Sequence, residues 1–102
     1  LNPFKGHSIA KRDVRIRENH ETMAEFAWLD GAILFNREGI ASDAGRYIQV
    51  PAGLSPKSGE GGRHLAARAI SQLSDGVAIA VSSTGSIVLY ANGRERYRVR
   101  IK

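Results

Sequence analysis

Gly61-Gly62-Arg63-His64 places two glycines and two potential cations where a loop turns into a helix. The first N–H groups of a helix have no intrahelical acceptor and sit at the positive end of its dipole, so main chain and side chain can hold an anion there together. Glycine just ahead of the helix lets a ligand approach the backbone closely. That combination suits a phosphate. The plainer reading is a glycine-rich loop closing onto an amphipathic helix, with Arg63 and His64 in solvent. The second candidate is Asp30, followed at once by Gly31 and Ala32. A carboxylate among small residues can hold a divalent cation or orient a ribose hydroxyl beside a bulky ligand. It can equally serve to end a helix. No Ser-His-Asp order, no histidine pair at metal spacing and no Rossmann or P-loop glycine fingerprint accompanies these groups. His7 stands alone and reads as solvated or structural.

These residues need elements to position them. Pro3 and Gly6 make residues 1–12 read as an extended arm. Asp13 is placed to cap a helix over 14–29, in which Ile16, Met23, Phe26 and Leu29 recur at helical spacing and Trp28 joins Phe26 in the core. Ala32 to Asn36 suits a buried strand, Arg37-Glu38-Gly39 a turn, and Ile40 to Ala44 a second strand. Arg46 to Val50 is also strand-like. Pro51 to Glu60 reads as an irregular exposed loop. In the helix that follows, Ala66, Ala69, Ile70 and Leu73 form an apolar stripe, with Arg63 off it near the helix mouth.

Gly76 to Val81 is apolar throughout, as a central strand covered on both faces would be. Ser82 to Gly85 ends it, Ser86 to Tyr90 is a further strand, and Asn92-Gly93 signals a hairpin. In the last strand Tyr97, Val99 and Ile101 alternate with Arg96, Arg98 and Arg100. Such a basic face can grip a polyanion, or can protect a sheet edge from pairing with another chain. The reading is α/β: a single domain over 1–102, with a mixed central β-sheet flanked by helices.

Composition narrows the function classes. A chain of 102 residues supports one modest core. No apolar run approaches the ~20 residues that span a bilayer, so no membrane partner is expected. The absence of cysteine removes disulfides, thiolate metal sites and cysteine nucleophiles, and suits a cytoplasmic protein. The 15 Lys and Arg against 10 Asp and Glu leave a net charge of +5, which favours nucleotides or nucleic acid as partners. The chain opens at Leu1 without an initiator Met or a leader, and reads as the C-terminal part of a longer protein.

Four segments, Leu-Asp-Gly-Ala at 29–32, Ala-Gly-Arg-Tyr at 44–47, Gly-Gly-Arg-His-Leu-Ala-Ala at 61–67 and Val-Ser-Ser-Thr-Gly at 81–85, together resemble the diadenylate cyclase domain. They occur in that family's order and spacing, and the Asn-Pro-Phe opening is most similar to its archaeal branch. The resemblance runs from about Asn2 to Val99. It implies a homo-oligomer in which two ATP molecules face each other across a dimer interface and condense to cyclic di-AMP, with Mg²⁺ or Mn²⁺ assisting. It also implies roles: Asp30 activates the 3′-hydroxyl and holds metal, and Gly31 and Ala32 shape the nucleotide pocket. Arg63 and His64, on the Gly61-Gly62 loop, contact phosphates, and Ser82, Ser83 and Thr84 line the triphosphate end. The family's loop usually reads Gly-Thr-Arg-His-Arg. Here Gly62 takes the threonine position and Leu65 that of the second arginine, with Arg68 one turn further on as the candidate substitute. Ser83 stands where a metal-binding glutamate is common, and Gln72 where another glutamate is common. These departures bear on metal affinity and turnover more than on binding. Two other readings therefore stay open: a member that binds ATP or cyclic di-AMP without turnover, and a basic nucleic-acid-binding module.

Overall fold

Asn36 closes the first hairpin. Its Oδ1 accepts the N–H groups of Glu38 and Ile40 at 3.0 and 2.9 Å, and Gly39 supplies the positive φ (+85°) that the turn requires. In the computed structural model, which describes residues 2–101, this hairpin joins β1 (Ala32–Phe35) antiparallel to β2 (Ala41–Arg46). Both strands belong to the first of two compact units, Leu1–Tyr47 and Ile48–Lys102. The first unit's core is Phe4, Met23, Ala41 and Ala44, with Phe26 and Ile33 against it. Phe4 and Phe26 meet edge to face at 4.8 Å.

The start of the chain is not an extended arm. Pro3 to Gly6 form turns, Ile9–Arg12 is a 3₁₀ helix and Phe4 is buried, because the Asn2 side chain ties this segment to β2 through the Ser42 carbonyl and the Ala44 N–H. The first helix is also shorter than its periodicity suggests. A 3₁₀ turn at Arg17–Asn19 leads into α1 (His20–Ala27). Asp13 does not cap it: its carboxylate takes the Arg15 backbone N–H and guanidinium, and its main chain bridges to Ile40. Trp28 lies just past the last turn and is 91% exposed, so it is not a core residue. Beyond Arg46 the chain leaves the sheet, and Tyr47 to Val50 form no strand.

The second unit holds α2 (Gly62–Leu73) and an antiparallel meander of β3 (Val77–Val81), β4 (Ser86–Ala91) and β5 (Arg94–Arg100), in the order β3-β4-β5. Its core is Ala67 on α2 against Ala80, Val88 and Tyr90. The α/β class stands, with the strands among the described residues shared between a two-stranded and a three-stranded sheet and each pairing there antiparallel. The middle strand is β4, not β3. Val77, Ile79 and Val81 are 65%, 60% and 54% exposed, because α2 covers only one face of an edge strand. The buried side of α2 runs through Ala67, Arg68, Ala69 and Ser71, while Leu73 is exposed.

Asn92 and Gly93 both adopt positive φ (53° and 75°), as a two-residue hairpin turn demands. Ser71 docks that turn on the helix. Its hydroxyl accepts the Gly93 N–H at 3.0 Å and donates to the Arg68 carbonyl at 2.8 Å. Outward from the turn, Ala91 faces Arg94 and Tyr90 faces Glu95, but Leu89 faces Tyr97, so Arg96 is the extra residue of a β-bulge. Arg98 and Arg100 then pair with Val88 and Ser86 on the helix-covered face, whereas Arg96 drops out of the alternation. The three arginines do not make one uniform basic stripe.

Candidate functional site

In the first unit Gly31 decides where Asp30 sits. Gly31 has φ +102°, and a Cβ there would lie 2.7 Å from the Arg46 carbonyl oxygen, so the bend out of α1 packs backbone to backbone on β2. Gly45, on β2, comes up against the Asp30 carbonyl and the Leu29 side chain from the other side. The Ala-Gly-Arg-Tyr segment thus builds the seat for Leu-Asp-Gly-Ala. Asp30 is exposed, and its Oδ2 accepts a hydrogen bond from the Tyr47 hydroxyl at 2.8 Å. That bond raises the Tyr47 pKa, because ionising the phenol would remove the donor and set two anions side by side. Sequence reasoning had Tyr47 within the Ala-Gly-Arg-Tyr segment but gave it no role.

In the second unit the loop residues expected at the phosphate end do converge. α2 begins at Gly62 behind Gly61, and no side chain caps it, so its first-turn N–H groups remain open to a ligand. Arg63 reaches across to donate to the Val81 carbonyl at 2.6 Å, which fixes the first turn of α2 to the end of β3. The side chain is exposed, as the plainer reading expects, but it is anchored. The Ser82 hydroxyl is the hub of the following turn. Its Oγ lies 2.8 Å from Thr84 Oγ1 and 2.9 Å from Ser86 Oγ, and accepts the Ser86 N–H. Gly61, Gly62, Arg63, His64, Ser82 and Ser83 line one shallow cleft. A neighbouring cleft of about 320 Å³ shares His64 and Ser82 with it and adds Thr84, Ser86, Arg98 and Arg100.

Arg68 lies at the back of this second cleft but is not a spare cation. Its Nε and one Nη donate to the two carboxylate oxygens of Glu60, both at 2.9 Å, and the same Nη donates to the Ser55 carbonyl. Both side chains are more than nine-tenths buried. The guanidinium holds the Glu60 carboxyl below its usual range. Arg98 is similarly matched by Glu95, at 2.7 and 3.1 Å. Tyr90, between them, has its phenol pushed up chiefly by burial and then by Glu60 and Glu95.

Taken with the segments that build it, this arrangement is that of a nucleotide-binding domain of the diadenylate cyclase kind. Residues 5–95 match the family described as DisA bacterial checkpoint controller nucleotide-binding, the DAC family, and the chain belongs to it. It is 36% identical over 88 residues to the diadenylate cyclase of Methanocaldococcus jannaschii, which covers 86% of this chain. The chain spans 28% of that relative's length. No solved structure matches. No helix among the described residues is long and apolar enough to cross a membrane.

Proposed function

We propose that this chain carries the catalytic site of a diadenylate cyclase, condensing two ATP molecules into cyclic di-AMP and two pyrophosphates across a face-to-face homodimer. The observation that carries this reading is the gathering of His64, Ser82 and Thr84, all family-motif residues, in one cleft beside the open N-terminus of α2. Such a cleft presents hydroxyls, N–H groups and cations to a triphosphate, which is what transfer at phosphorus asks of a protein. Arg63 and His64 hold the phosphates, and Ser82, Ser83 and Thr84 line their path. Gly31 and Ala32 leave room for the nucleoside beside Asp30. The Asp30 carboxylate takes the proton of the 3′-hydroxyl as that oxygen attacks the α-phosphate of the opposite ATP, and pyrophosphate leaves. The same step on the second ATP closes the ring.

Among the described residues no three His, Asp or Glu side chains converge. Asp30, an exposed carboxylate, is the residue that would hold a divalent cation. Mg²⁺ or Mn²⁺, when bound, neutralises charge at the phosphates. A second reading, binding of ATP or cyclic di-AMP without turnover, draws on Leu65 and Ser83, which remove a cation and a carboxylate from the family pattern.

Incubation of the chain at high concentration with ATP and Mn²⁺, with products read by mass spectrometry, separates the two. Cyclic di-AMP that appears with the chain and is lost in Asp30→Asn is the expected result. ATP binding by a dimer that yields no product overturns the cyclase reading and leaves the binding one.

A further inference from the structure

The bulge at Arg96 exchanges what β5 presents to each face of its sheet. An unbroken ladder counted out from the Asn92-Gly93 turn pairs Tyr97 with Val88 and Val99 with Ser86, which puts both apolar side chains on the face covered by α2. The single extra residue reverses this. Tyr97 and Val99 end up on the open face, 65% and 39% exposed, and Arg98 and Arg100 are turned into the cleft. A fold seeking only burial would choose the other register.

The two arginines differ in what they meet. Glu95 neutralises Arg98 with a bidentate pair, as Glu60 does Arg68. Arg100 has no ion-pair partner among the described residues. It stands directly across the ladder from Ser86, whose hydroxyl bonds to the Ser82 hub, and it lines the same cleft as His64 and Thr84. Three hydroxyls, an imidazole and the unmatched Arg100 guanidinium, with the Lys57 ammonium on the loop side of the same cleft, form a site for an anionic oxygen cluster.

We infer that Arg100 is a phosphate-binding residue of this site, supplying from β5 the cation that the α2 loop lacks at Leu65. The inference rests on the nucleotide reading above and adds to it a residue outside the loop motif. Arg100 acts on the terminal phosphates, the part of ATP that AMP lacks, so its removal lowers discrimination between the two nucleotides and leaves recognition of the nucleoside intact.

The test measures dissociation constants for α,β-methylene-ATP, which cannot release pyrophosphate, and for AMP, at one fixed ionic strength. The unsubstituted chain, Arg100→Gln and Arg96→Gln are compared. Arg96 loses the same charge from the same strand, at the bulge and outside the cleft. The expected result is that Arg100→Gln weakens binding of the triphosphate by about tenfold or more while AMP affinity holds, and that Arg96→Gln changes neither. If Arg100→Gln retains the triphosphate preference, or Arg96→Gln reduces it equally, the inference is wrong and the nucleotide reading stands. If the unsubstituted chain binds neither nucleotide, the nucleotide reading itself falls and takes this inference with it.

Discussion

Replacing Arg68 with alanine should unsettle the second unit far more than its place beside a cleft suggests. The Arg68 and Glu60 side chains are 9% and 8% exposed and share two 2.9 Å hydrogen bonds, so truncating one leaves the other charged and largely out of water. Breaking a buried pair in this way costs about 3 kcal/mol. The Ser55 carbonyl loses its donor as well, which releases the loop from α2. For a chain of this size that loss lowers the melting temperature by roughly 12 to 24 °C. Arg68→Lys should recover less than half of it, because an ammonium cannot form the forked pair. The double variant Glu60→Gln/Arg68→Met removes both charges and should melt above Arg68→Ala. Thermal unfolding followed by circular dichroism decides the matter. A single variant that melts within about 2 °C of the unsubstituted chain, or single and double variants that melt together, would refute the claim that an uncompensated buried charge is the cause.

Two further expectations follow from the same structure. The Asp13 and Glu60 carboxyls are both held low, chiefly by hydrogen bonds from the Arg15 and Arg68 side chains, so the stability they give is fully present above the ordinary carboxylate pKa of about 4 and is lost as pH falls through their lower folded values. The melting temperature should therefore be flat from pH 7 to about 5 and fall below about 4, with the fall reduced in Glu60→Gln; a curve of the same shape in that variant would exclude Glu60 as a contributor. Gly61→Asp should raise the melting temperature slightly, since an aspartate N-cap and the helix dipole each add some tenths of a kcal/mol, yet weaken ATP binding by filling and repelling the anion site. A variant that is more stable and binds ATP as well as before would show that the open α2 N-terminus is not where phosphate goes.

The local geometry of the candidate site's segments was more legible in the sequence than the architecture, because those residues are constrained locally. Asp30-Gly31 and Gly61-Gly62-Arg63-His64 carry their chemistry within a few consecutive residues, and the loop-to-helix junction at 61–62 follows from glycine and the apolar period after it. The Asn92-Gly93 turn was legible for the same reason. What was not legible depends on contacts distant in sequence. Trp28 continues a helical apolar period, but α1 ends at Ala27 because Gly31 must bend the chain onto Gly45 and Arg46. Six-residue apolarity at Gly76 to Val81 looks like a central strand, and nothing within that run says that β4 will take the middle place. The Arg96 bulge leaves no local mark at all, so alternation alone assigns the three arginines to one face and misses Glu95 among them.

The departures from the family pattern fall on the side of the site proposed to hold phosphate, and there they change charge more than scaffold. Gly61 and Gly62 have ordinary backbone angles, and a Cβ on either would meet nothing within 4 Å, so neither the fold's sterics nor its dihedrals call for glycine there. Glycine at the first position of a helix costs backbone entropy, and it is explained better by something that must approach the main chain than by the helix itself. The Ser82 hub and the Arg63–Val81 bond, which shape the cleft, do not depend on a threonine at 62 or an arginine at 65. What those substitutions remove is a hydroxyl and a positive charge, and Ser83 adds no carboxylate in return. On the proposed reading, a site altered in this way would keep its cleft for a triphosphate and shift the burden of neutralising it to cations brought from β5 or carried in with the nucleotide.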